Sequence, residues 1–313
     1  MSRWLPLPFP WRISLAVLPV KQRVVWTLTP STTVGRAINA ASERLQEAGI
    51  DTARLDAQVI LAHVLGVGRS WLFAHFDQTL TGDEAEDYTN MIARRMAFEP
   101  VAYLVGRKEF YGIDLAVDRR VLVPRPETEL LVDAVLEHVA EFGDRLTIAD
   151  IGAGSGAIAL AIAANAPEVT LYAIDVSADA LAVAKVNVLA HDMRGQVTLL
   201  QGDLLAPLTM PVDVIVANLP YVAYPDFCTL APDVRVYEPR LALEAGPQGL
   251  DVITRLVHQV PACLNPGGLV ALEIGYDQAH AVVKLIERAL PYAYEIDVRK
   301  DYQGHDRVVT FRL

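Results

Sequence analysis

The sequence predicts an α/β fold: a mostly parallel β-sheet with an antiparallel edge strand, preceded by a small helical bundle that a β-hairpin joins to it. Three observations support this prediction. Residues 33–98 show helical periodicity alone, whereas residues 146–290 alternate between short apolar strands and amphipathic helices. The last two strand-like segments are separated by a short loop that contains Asp and Gly, which is typical of a hairpin at a sheet edge.

The composition is that of a globular protein with room for two domains. The chain has 313 residues, of which 52% are hydrophobic and 21% are charged. Its net charge of −11 disfavours general binding to nucleic acid, which needs a basic face, so no direct nucleic-acid partner is expected. The cysteines, Cys228 and Cys263, are far apart, and no histidine stands at a metal-ligand spacing. We therefore expect a cytoplasmic protein without a disulfide framework or a metal site.

The chain begins with a segment, residues 1–30, that mixes prolines, tryptophans and basic residues. Pro10 and Pro19 interrupt its apolar run, which is too broken for a membrane span, and no membrane partner is expected. We interpret this segment as an extension that is disordered or loosely docked.

Residues 31–100 are predicted to form the helical bundle. The first helix ends at Gly49 and places five apolar residues on one face: Val34, Ala37, Ile38, Ala41 and Leu45. Asp51 is expected to cap a second helix, whose core-facing residues are predicted to be Leu55, Val59, Ala62 and Leu65. A third helix runs through Tyr88, Ile92 and Met96 and stops before Pro100.

Residues 101–124 change to a strand pattern. β-Forming residues such as Tyr103 and Phe110 are interrupted by Gly106 and Gly112, which predicts the hairpin that links the two domains. Pro126 then stands where a first helical residue is favoured, and apolar spacing continues that helix.

The second domain, residues 125–313, alternates strands with helices. Strands are predicted over residues 146–150, 170–175, 197–200, 212–217, 269–274, 294–298 and 307–311. Helices are predicted over residues 156–164, 178–189, 249–263 and 278–290. Such alternation is typical of parallel strands with helices on both faces of the sheet.

A glycine-rich run follows the first strand of this domain. Gly152, Gly154 and Gly156 stand at the strand-to-helix turn, where absent side chains let a ligand approach backbone N–H groups. Asp175 closes the next strand, a position from which a carboxylate accepts the hydroxyls of a ribose. Two alternatives stay open: a turn that needs glycine for its geometry alone, and Asp175 as a cap of the helix after Ser177.

The spacing of these glycines resembles the first motif of class I S-adenosylmethionine-dependent methyltransferases, and it differs from the dinucleotide pattern Gly-x-Gly-x-x-Gly. The resemblance implies a Rossmann-like class I methyltransferase fold with S-adenosylmethionine as the cofactor. It implies cofactor contacts from one set of residues: Gly152, Ala153, Gly154, Ser155, Gly156, Asp175, Asp203, Leu204 and Asn218. Asp203 and Leu204 would border the adenine.

The predicted strand over residues 212–217 ends at Asn218-Leu219-Pro220-Tyr221, which resembles the Asn-Pro-Pro-Tyr motif of methyltransferases that modify a planar nitrogen. A carboxamide nitrogen is a poor nucleophile because it shares its lone pair with the carbonyl, so catalysis must rely on positioning. The Asn218 side-chain oxygen and the Leu219 carbonyl can accept both amide hydrogens, and Tyr221 can stack on the amide plane. The alternative is an Asn/Pro turn with a packed tyrosine.

Leu219 stands where this motif usually has its first proline. Because Leu219 still precedes Pro220, its backbone remains biased to the extended region, and its carbonyl can keep the same direction. The expected effect of the change is on the stiffness of the loop rather than on activity.

Further motifs narrow the resemblance to the release factor glutamine methyltransferases, over about residues 33–313. The most discriminating is Pro124-Arg125-Pro126-Glu127-Thr128-Glu129. Others are Pro100-Val101-Ala102-Tyr103-Leu104, Glu238-Pro239-Arg240, Gly249-Leu250-Asp251, Leu272-Glu273-Ile274-Gly275 and Gly304-His305-Asp306-Arg307.

This resemblance implies methylation of the side-chain amide (N5) of the glutamine in the Gly-Gly-Gln motif of bacterial class I peptide chain release factors. The bundle would help to dock the release factor. The resemblance also implies that Arg125, Glu127 and Glu129 line the cofactor side of the pocket. Glu238 and Arg240 would hold the loop after Tyr221.

Other functions stay open at this point. A glutamine methyltransferase that acts on a ribosomal protein and an adenine-N6 methyltransferase of nucleic acid are both compatible with the tetrapeptide. A nicotinamide oxidoreductase is disfavoured by the glycine spacing. A cofactor-binding module without catalysis is disfavoured by the presence of Asn218 and Tyr221.

Overall fold

The computed structural model describes residues 26–29 and 31–313. Most of the extension predicted over residues 1–30 therefore lies outside the described residues. The described part begins with five helices: α1 (Val34–Glu47), α2 (Ala53–Val64), α3 (Arg69–Ala74), α4 (Gly82–Met96) and α5 (Val101–Val105). None of the helices in the described part is long and apolar enough to cross a membrane.

Side-chain caps fix where α1 and α4 begin. The Thr33 hydroxyl accepts a hydrogen bond from the Arg36 backbone N–H at 3.4 Å. Thr81 and Glu84 form a reciprocal capping box, in which each side chain accepts the other residue's backbone N–H. The predicted buried face of α1 is confirmed, because all five of its apolar residues are fully buried.

The predicted cap of α2 is wrong, and its predicted buried face is right for Ala62, which is buried, and wrong for Leu55, while Val59 and Leu65 are half-buried. Thr52, and not Asp51, occupies the N-cap position, and its hydroxyl donates to Asp56. Leu55 is 45% exposed, whereas Ile60 and Leu61 are fully buried. The face is rotated because Asp56 turns inward, where its carboxylate accepts a hydrogen bond at 2.7 Å from the buried Arg95 guanidinium of α4. The helix α3 was not predicted.

Residues 101–105 form the short helix α5 rather than a strand. Tertiary packing outweighs the strand propensity of this segment, since the buried Tyr103 side chain donates a hydrogen bond to the Val121 carbonyl. The helix ends at Gly106, which has φ of 73°. The hairpin then follows as β1 (Arg107–Phe110) and β2 (Ile113–Ala116).

The remaining elements form a seven-stranded sheet with the order β5-β4-β3-β6-β7-β9-β8. Its strands are β3 (Thr147–Ile151), β4 (Thr170–Asp175), β5 (Val197–Gln201), β6 (Val212–Ala217), β7 (Leu264–Glu273), β8 (Tyr294–Lys300) and β9 (Asp306–Arg312). The helices are α6 (Glu129–Phe142), α7 (Ala157–Asn165), α8 (Ala178–Ala190), α9 (Pro232–Tyr237), α10 (Asp251–Cys263) and α11 (Ala279–Ala289). Strands β3 to β7 are parallel, and β9 pairs antiparallel with both β7 and β8. The predicted sheet, including its antiparallel edge, is confirmed.

Hydrophobic clusters on both faces of the sheet position the strands. One cluster joins the sheet to α6 and α7 through residues such as Leu131 and Leu160. The other joins it to α10 and α11 through Leu256 and Val282. The chain passes from β3 outward to β4 and β5 and then returns across the sheet to β6. The carboxyl ends of β3 and β6 therefore flank the switch point at which open α/β sheets bind ligands.

Candidate active site

The glycine loop between β3 and α7, residues 152–156, lies at this switch point. Gly152, Gly154 and Gly156 all have positive φ, at 77°, 55° and 81°. A Cβ on Gly152 would lie 3.3 Å from the Asn218 carbonyl oxygen and 3.2 Å from the Leu219 side chain. Glycine is thus required here both for the backbone conformation and for the close approach of the tetrapeptide.

Exposure differs along this loop. Gly152 is exposed and Gly154 is half-buried, whereas Ala153, Ser155 and Gly156 are buried. The two accessible glycines leave uncovered main-chain surface beside which a ligand can lie, although their N–H groups already donate to the Ile174 carbonyl and to Asp175. The three buried residues support the loop from below. Within that support, the Ser155 carbonyl accepts a hydrogen bond from the buried side chain of Asn187 at 2.8 Å.

Asp175 ends β4 beside the glycine loop and is half-buried. One carboxylate oxygen accepts the Gly154 N–H at 2.9 Å, and the other accepts the Ser177 N–H at 2.8 Å. Burial raises the pKa of Asp175, and these backbone N–H groups oppose the shift. The N-cap of α8 is Ser177, whose own hydroxyl accepts from Ala180. Asp175 therefore braces the glycine loop and keeps lone pairs for a hydroxyl-bearing ligand.

A second carboxyl lies inside the sheet beneath the loop. Asp150 is fully buried on β3, and its Oδ2 accepts the Ala159 N–H of α7 at 3.1 Å. Its Oδ1 has no hydrogen-bond partner among the described residues. Burial raises the pKa of Asp150 to about 7.

The residues expected near the adenine follow β5. Leu204 is buried with a positive φ of 51°, in the same cluster as Ile151, Ile174 and Leu219. Asp203 is exposed, and its carboxylate forms an ion pair with Arg255 of α10. Leu204 is thus brought together with the strand ends that carry the glycine loop, whereas the Asp203 carboxylate is held toward α10.

The tetrapeptide Asn218-Leu219-Pro220-Tyr221 follows β6 directly. The parallel register that pairs Ile151 with Ala217 places Asn218 next to Gly152. Leu219 is buried, whereas Asn218, Pro220 and Tyr221 are half-buried. The Leu219 side chain packs in the core cluster below the glycine loop, a position in which it adds apolar contact to the site.

A chain of hydrogen bonds connects Asn218 to Tyr221 through two buried residues. Asn218 Nδ2 donates to Thr128 Oγ1 at 3.0 Å, and Thr128 Oγ1 donates to Glu273 Oε2 at 2.6 Å. Tyr221 Oη donates to the other Glu273 oxygen at 3.4 Å. Thr128 is 4% exposed and Glu273 2%. We call this set of four residues the amide relay.

Glu273 ends β7, and charged groups from several elements face it. Burial raises its pKa to about 7, and the Glu127 carboxylate acts in the same direction. The Thr128 hydroxyl, the Arg307 guanidinium of β9 and the Tyr221 hydroxyl oppose that shift. Sequence reasoning gave Thr128 and Glu273 no role. The available signals were the two motifs that contain them, residues 124–129 and 272–275, and the single glutamate within the apolar strand predicted over residues 269–274.

The backbone of the tetrapeptide is fixed by Gln278, the N-cap residue of α11. Its Nε2 donates to the Tyr221 carbonyl at 2.9 Å and its Oε1 accepts the Gly275 N–H at 2.9 Å. Gly249 packs directly on the same carbonyl, where a Cβ would clash with it. Tyr221 is thus held at both its side chain and its main chain.

The loop after Tyr221, residues 222–250, is attached to the segment before α6. The buried Glu238 forms an ion pair with Arg125 and accepts the Val123 N–H at 3.1 Å. Arg240 pairs with Glu244 within the loop. Arg125 therefore contacts this loop. Glu129 accepts the Tyr111 N–H of the hairpin turn at 3.0 Å.

Two protein families match the chain. Residues 36–106 match the PrmC N-terminal domain, and residues 126–229 match the methyltransferase small domain. The catalytic domain of hMettl16, solved in complex with a 3′UTR hairpin, has a TM-score of 0.53 and is 14% identical. It covers 75% of this chain and 84% of that one, a likeness that concerns the fold alone.

Relatives that align over most of the chain identify its family. A release factor glutamine methyltransferase of Caulobacter vibrioides is 41% identical over 282 residues, which cover 88% of this chain and 95% of that protein. One of Moorella thermoacetica is 43% identical over 276 residues, with 88% and 96% covered. Both alignments span nearly all of each protein at high identity, so the chain belongs to the release factor glutamine methyltransferase family.

Proposed function

We propose that the protein transfers a methyl group from S-adenosylmethionine to the side-chain amide nitrogen (N5) of a glutamine, the one in the Gly-Gly-Gln motif of bacterial class I peptide chain release factors. The observation that carries this proposal is the placement of Asn218 beside the glycine loop, with its amide hydrogen-bonded on one side to Thr128. The family supports the choice of substrate.

The residues present fit the cofactor. The glycine loop leaves accessible backbone at Gly152 and Gly154, and Asp175 places a carboxylate beside it for the ribose hydroxyls. When bound, S-adenosylmethionine supplies an electrophilic methyl group on a positively charged sulfur. We assign its binding to Gly152, Ala153, Gly154, Ser155, Gly156, Asp175, Asp203, Leu204 and Asn218. Ala153, Ser155 and Gly156 act through the shape of the loop, because they are buried.

The tetrapeptide orients the acceptor amide. Asn218 Oδ1 and the Leu219 carbonyl accept the two N–H bonds of the glutamine side chain, which aims its nitrogen at the methyl group. These acceptors also favour the positive charge that develops on that nitrogen. Pro220 restrains the Leu219 backbone, and Tyr221 covers the amide plane and excludes water. The nitrogen would gain the methyl group as the methyl–sulfur bond breaks, and it would release one of its two protons to water.

We assign docking of the release factor to the bundle, residues 31–100. The methyltransferase domain is assigned to residues 125–313, and the hairpin over residues 101–124 links the two. Support comes from α9, in the loop over residues 222–250, where the Tyr237 hydroxyl donates to the Ala97 carbonyl at the end of α4. A protein that docks on the bundle is thereby placed next to the acceptor site. We propose a cytoplasmic location, in keeping with a translation-factor substrate and with two free cysteines.

The test is methyl transfer from labelled S-adenosylmethionine to a purified release factor, followed by mass spectrometry of the Gly-Gly-Gln peptide. The wild-type protein should label that glutamine, and Asn218→Ala should lose at least about 100-fold in kcat, because the amide nitrogen loses its main acceptor. Ribosomal protein and RNA are included as competing acceptors. Transfer to either in preference to the release factor, or full activity of Asn218→Ala, would contradict the proposal.

A further inference from the structure

A planar side-chain amide has two orientations of nearly the same shape. Rotation of the Asn218 amide by a half-turn exchanges its oxygen, which accepts hydrogen bonds, with its NH₂ group, which donates them. On the proposed function, only one orientation is productive, because the acceptor glutamine presents N–H groups that need an oxygen. Shape alone does not select between the two orientations, so hydrogen-bond partners must do so.

Thr128 supplies the selection. Its hydroxyl has a single proton, and when Glu273 is ionised that proton is used in the 2.6 Å hydrogen bond to Glu273 Oε2. Thr128 Oγ1 therefore faces Asn218 as an acceptor, and it accepts the Asn218 Nδ2–H at 3.0 Å. Asn218 Oδ1 is left for the acceptor amide. In the rotated form two oxygen atoms without a shared proton would face each other.

Because Thr128 and Glu273 are buried, the Asn218 amide strongly prefers one orientation. Thr128 and Glu273 are 4% and 2% exposed, so water does not replace a lost partner. Glu273 is itself fixed through its second oxygen by Tyr221. The donor and acceptor directions therefore run one way, from Asn218 through Thr128 to Glu273.

We propose that Thr128 and Glu273 are positioning residues, which hold the Asn218 amide in the orientation that presents Oδ1 to the acceptor nitrogen. Neither residue touches the reacting atoms in this scheme. Their effect is exerted through the Asn218 amide, and it falls chiefly on the methyl-transfer step, because the glycine loop and Asp175, which supply most of the assigned cofactor contacts, are unchanged.

Thr128→Val tests this at nearly constant volume, because valine replaces the hydroxyl with a methyl group. We expect kcat for release-factor methylation to fall roughly 10- to 100-fold, because the Asn218 amide loses a buried hydrogen-bond partner and is no longer held in one orientation. The affinity for S-adenosylmethionine, measured by calorimetry, should stay within about threefold of wild type, since the glycine loop is unchanged. Thr128→Ser keeps the hydroxyl and should restore kcat to within a few-fold of wild type.

Controls separate this role from a general loss of structure. Thr310→Val removes the hydroxyl of another buried threonine, on β9, outside the amide relay, and should leave kcat unchanged. If Thr128→Val does not fold, Glu273→Met tests the same point, because methionine has a similar length and no strong acceptor, so the Thr128 proton is free to turn toward Asn218. That variant should lose kcat while it keeps its affinity for S-adenosylmethionine.

The outcomes are distinct. Wild-type kcat in Thr128→Val or Glu273→Met overturns this inference and leaves the proposed function standing. Equal impairment of Thr128→Ser and Thr128→Val overturns it as well, because the hydroxyl would then not be the relevant group. A wild-type protein that transfers no methyl group to the release factor overturns the proposed function, and this inference with it.

Discussion

Among single residues, Asp150 shows most directly how burial couples to pH. Its pKa is raised from the ordinary 3.8 to about 7, chiefly by burial and further by the charge of Asp175. Between about pH 4 and pH 7 the folded protein holds a proton that the unfolded chain has released. The free energy of unfolding therefore falls as the pH rises through this window.

We predict that Asp150→Asn stabilises the ligand-free protein more at pH 8 than at pH 5. Asparagine is neutral at both pH values and can still accept the Ala159 N–H. The difference between the two pH values should be on the order of 1–4 kcal/mol, the range that a shift of about three pKa units allows. Urea unfolding at both pH values measures it, with the exposed Asp87→Asn as the matched control. The same stability change at both pH values would contradict the prediction.

At the scale of elements, Asn187 of α8 joins two segments that are far apart in sequence. It is 1% exposed, its Oδ1 accepts the Ala116 N–H of β2 at 2.7 Å, and its Nδ2 donates to the Ala116 and Ser155 carbonyls. The hairpin is thereby tied to the glycine loop.

We predict that Asn187→Ala lowers the free energy of unfolding by about 2–4 kcal/mol, because it leaves backbone groups of the half-buried Ala116 and the buried Ser155 without partners. Binding of S-adenosylmethionine should weaken as well, since Ser155 supports the glycine loop. Urea unfolding and calorimetric titration measure the two effects. Asn165→Ala is the control, because the exposed Asn165 bonds only within α7, to the Ala161 carbonyl. A stable Asn187→Ala variant with unchanged affinity would show that the tie has no role in binding.

Elements also show what sequence patterns do and do not reveal. The strands, the sheet edge and the buried face of α1 were predictable, because their periodicity and terminating glycines are local signals. The face of α2 and the helix α5 were not, because both depend on partners distant in sequence, such as Arg95 for Asp56 and Val121 for Tyr103. The same holds at the site. The role of Asn218 was predictable because it belongs to a recognisable tetrapeptide motif. The role of Thr128 was not, because its contact with Asn218 joins residues that are 90 positions apart.

At the scale of the whole molecule, the loop over residues 222–250 connects the acceptor site with the bundle. The Tyr237 hydroxyl donates to the Ala97 carbonyl at 2.7 Å, and the Arg119 guanidinium lies 5.2 Å from the centre of the Tyr237 ring. The neighbouring Glu238 pairs with Arg125. If the bundle docks the release factor, these contacts place the docked protein relative to Tyr221.

We predict that Tyr237→Ala raises KM for the release factor by about tenfold, the factor that corresponds to loss of one anchoring contact of about 1.4 kcal/mol. The affinity for S-adenosylmethionine should not change, because the glycine loop is held by Asp175 and Asn187 from other elements. Steady-state methylation with varied release factor measures KM, and Tyr292→Ala is the control, since Tyr292 is exposed between α11 and β8. An unchanged KM would show that the contact between Tyr237 and Ala97 has no part in placing the release factor, and would contradict the prediction.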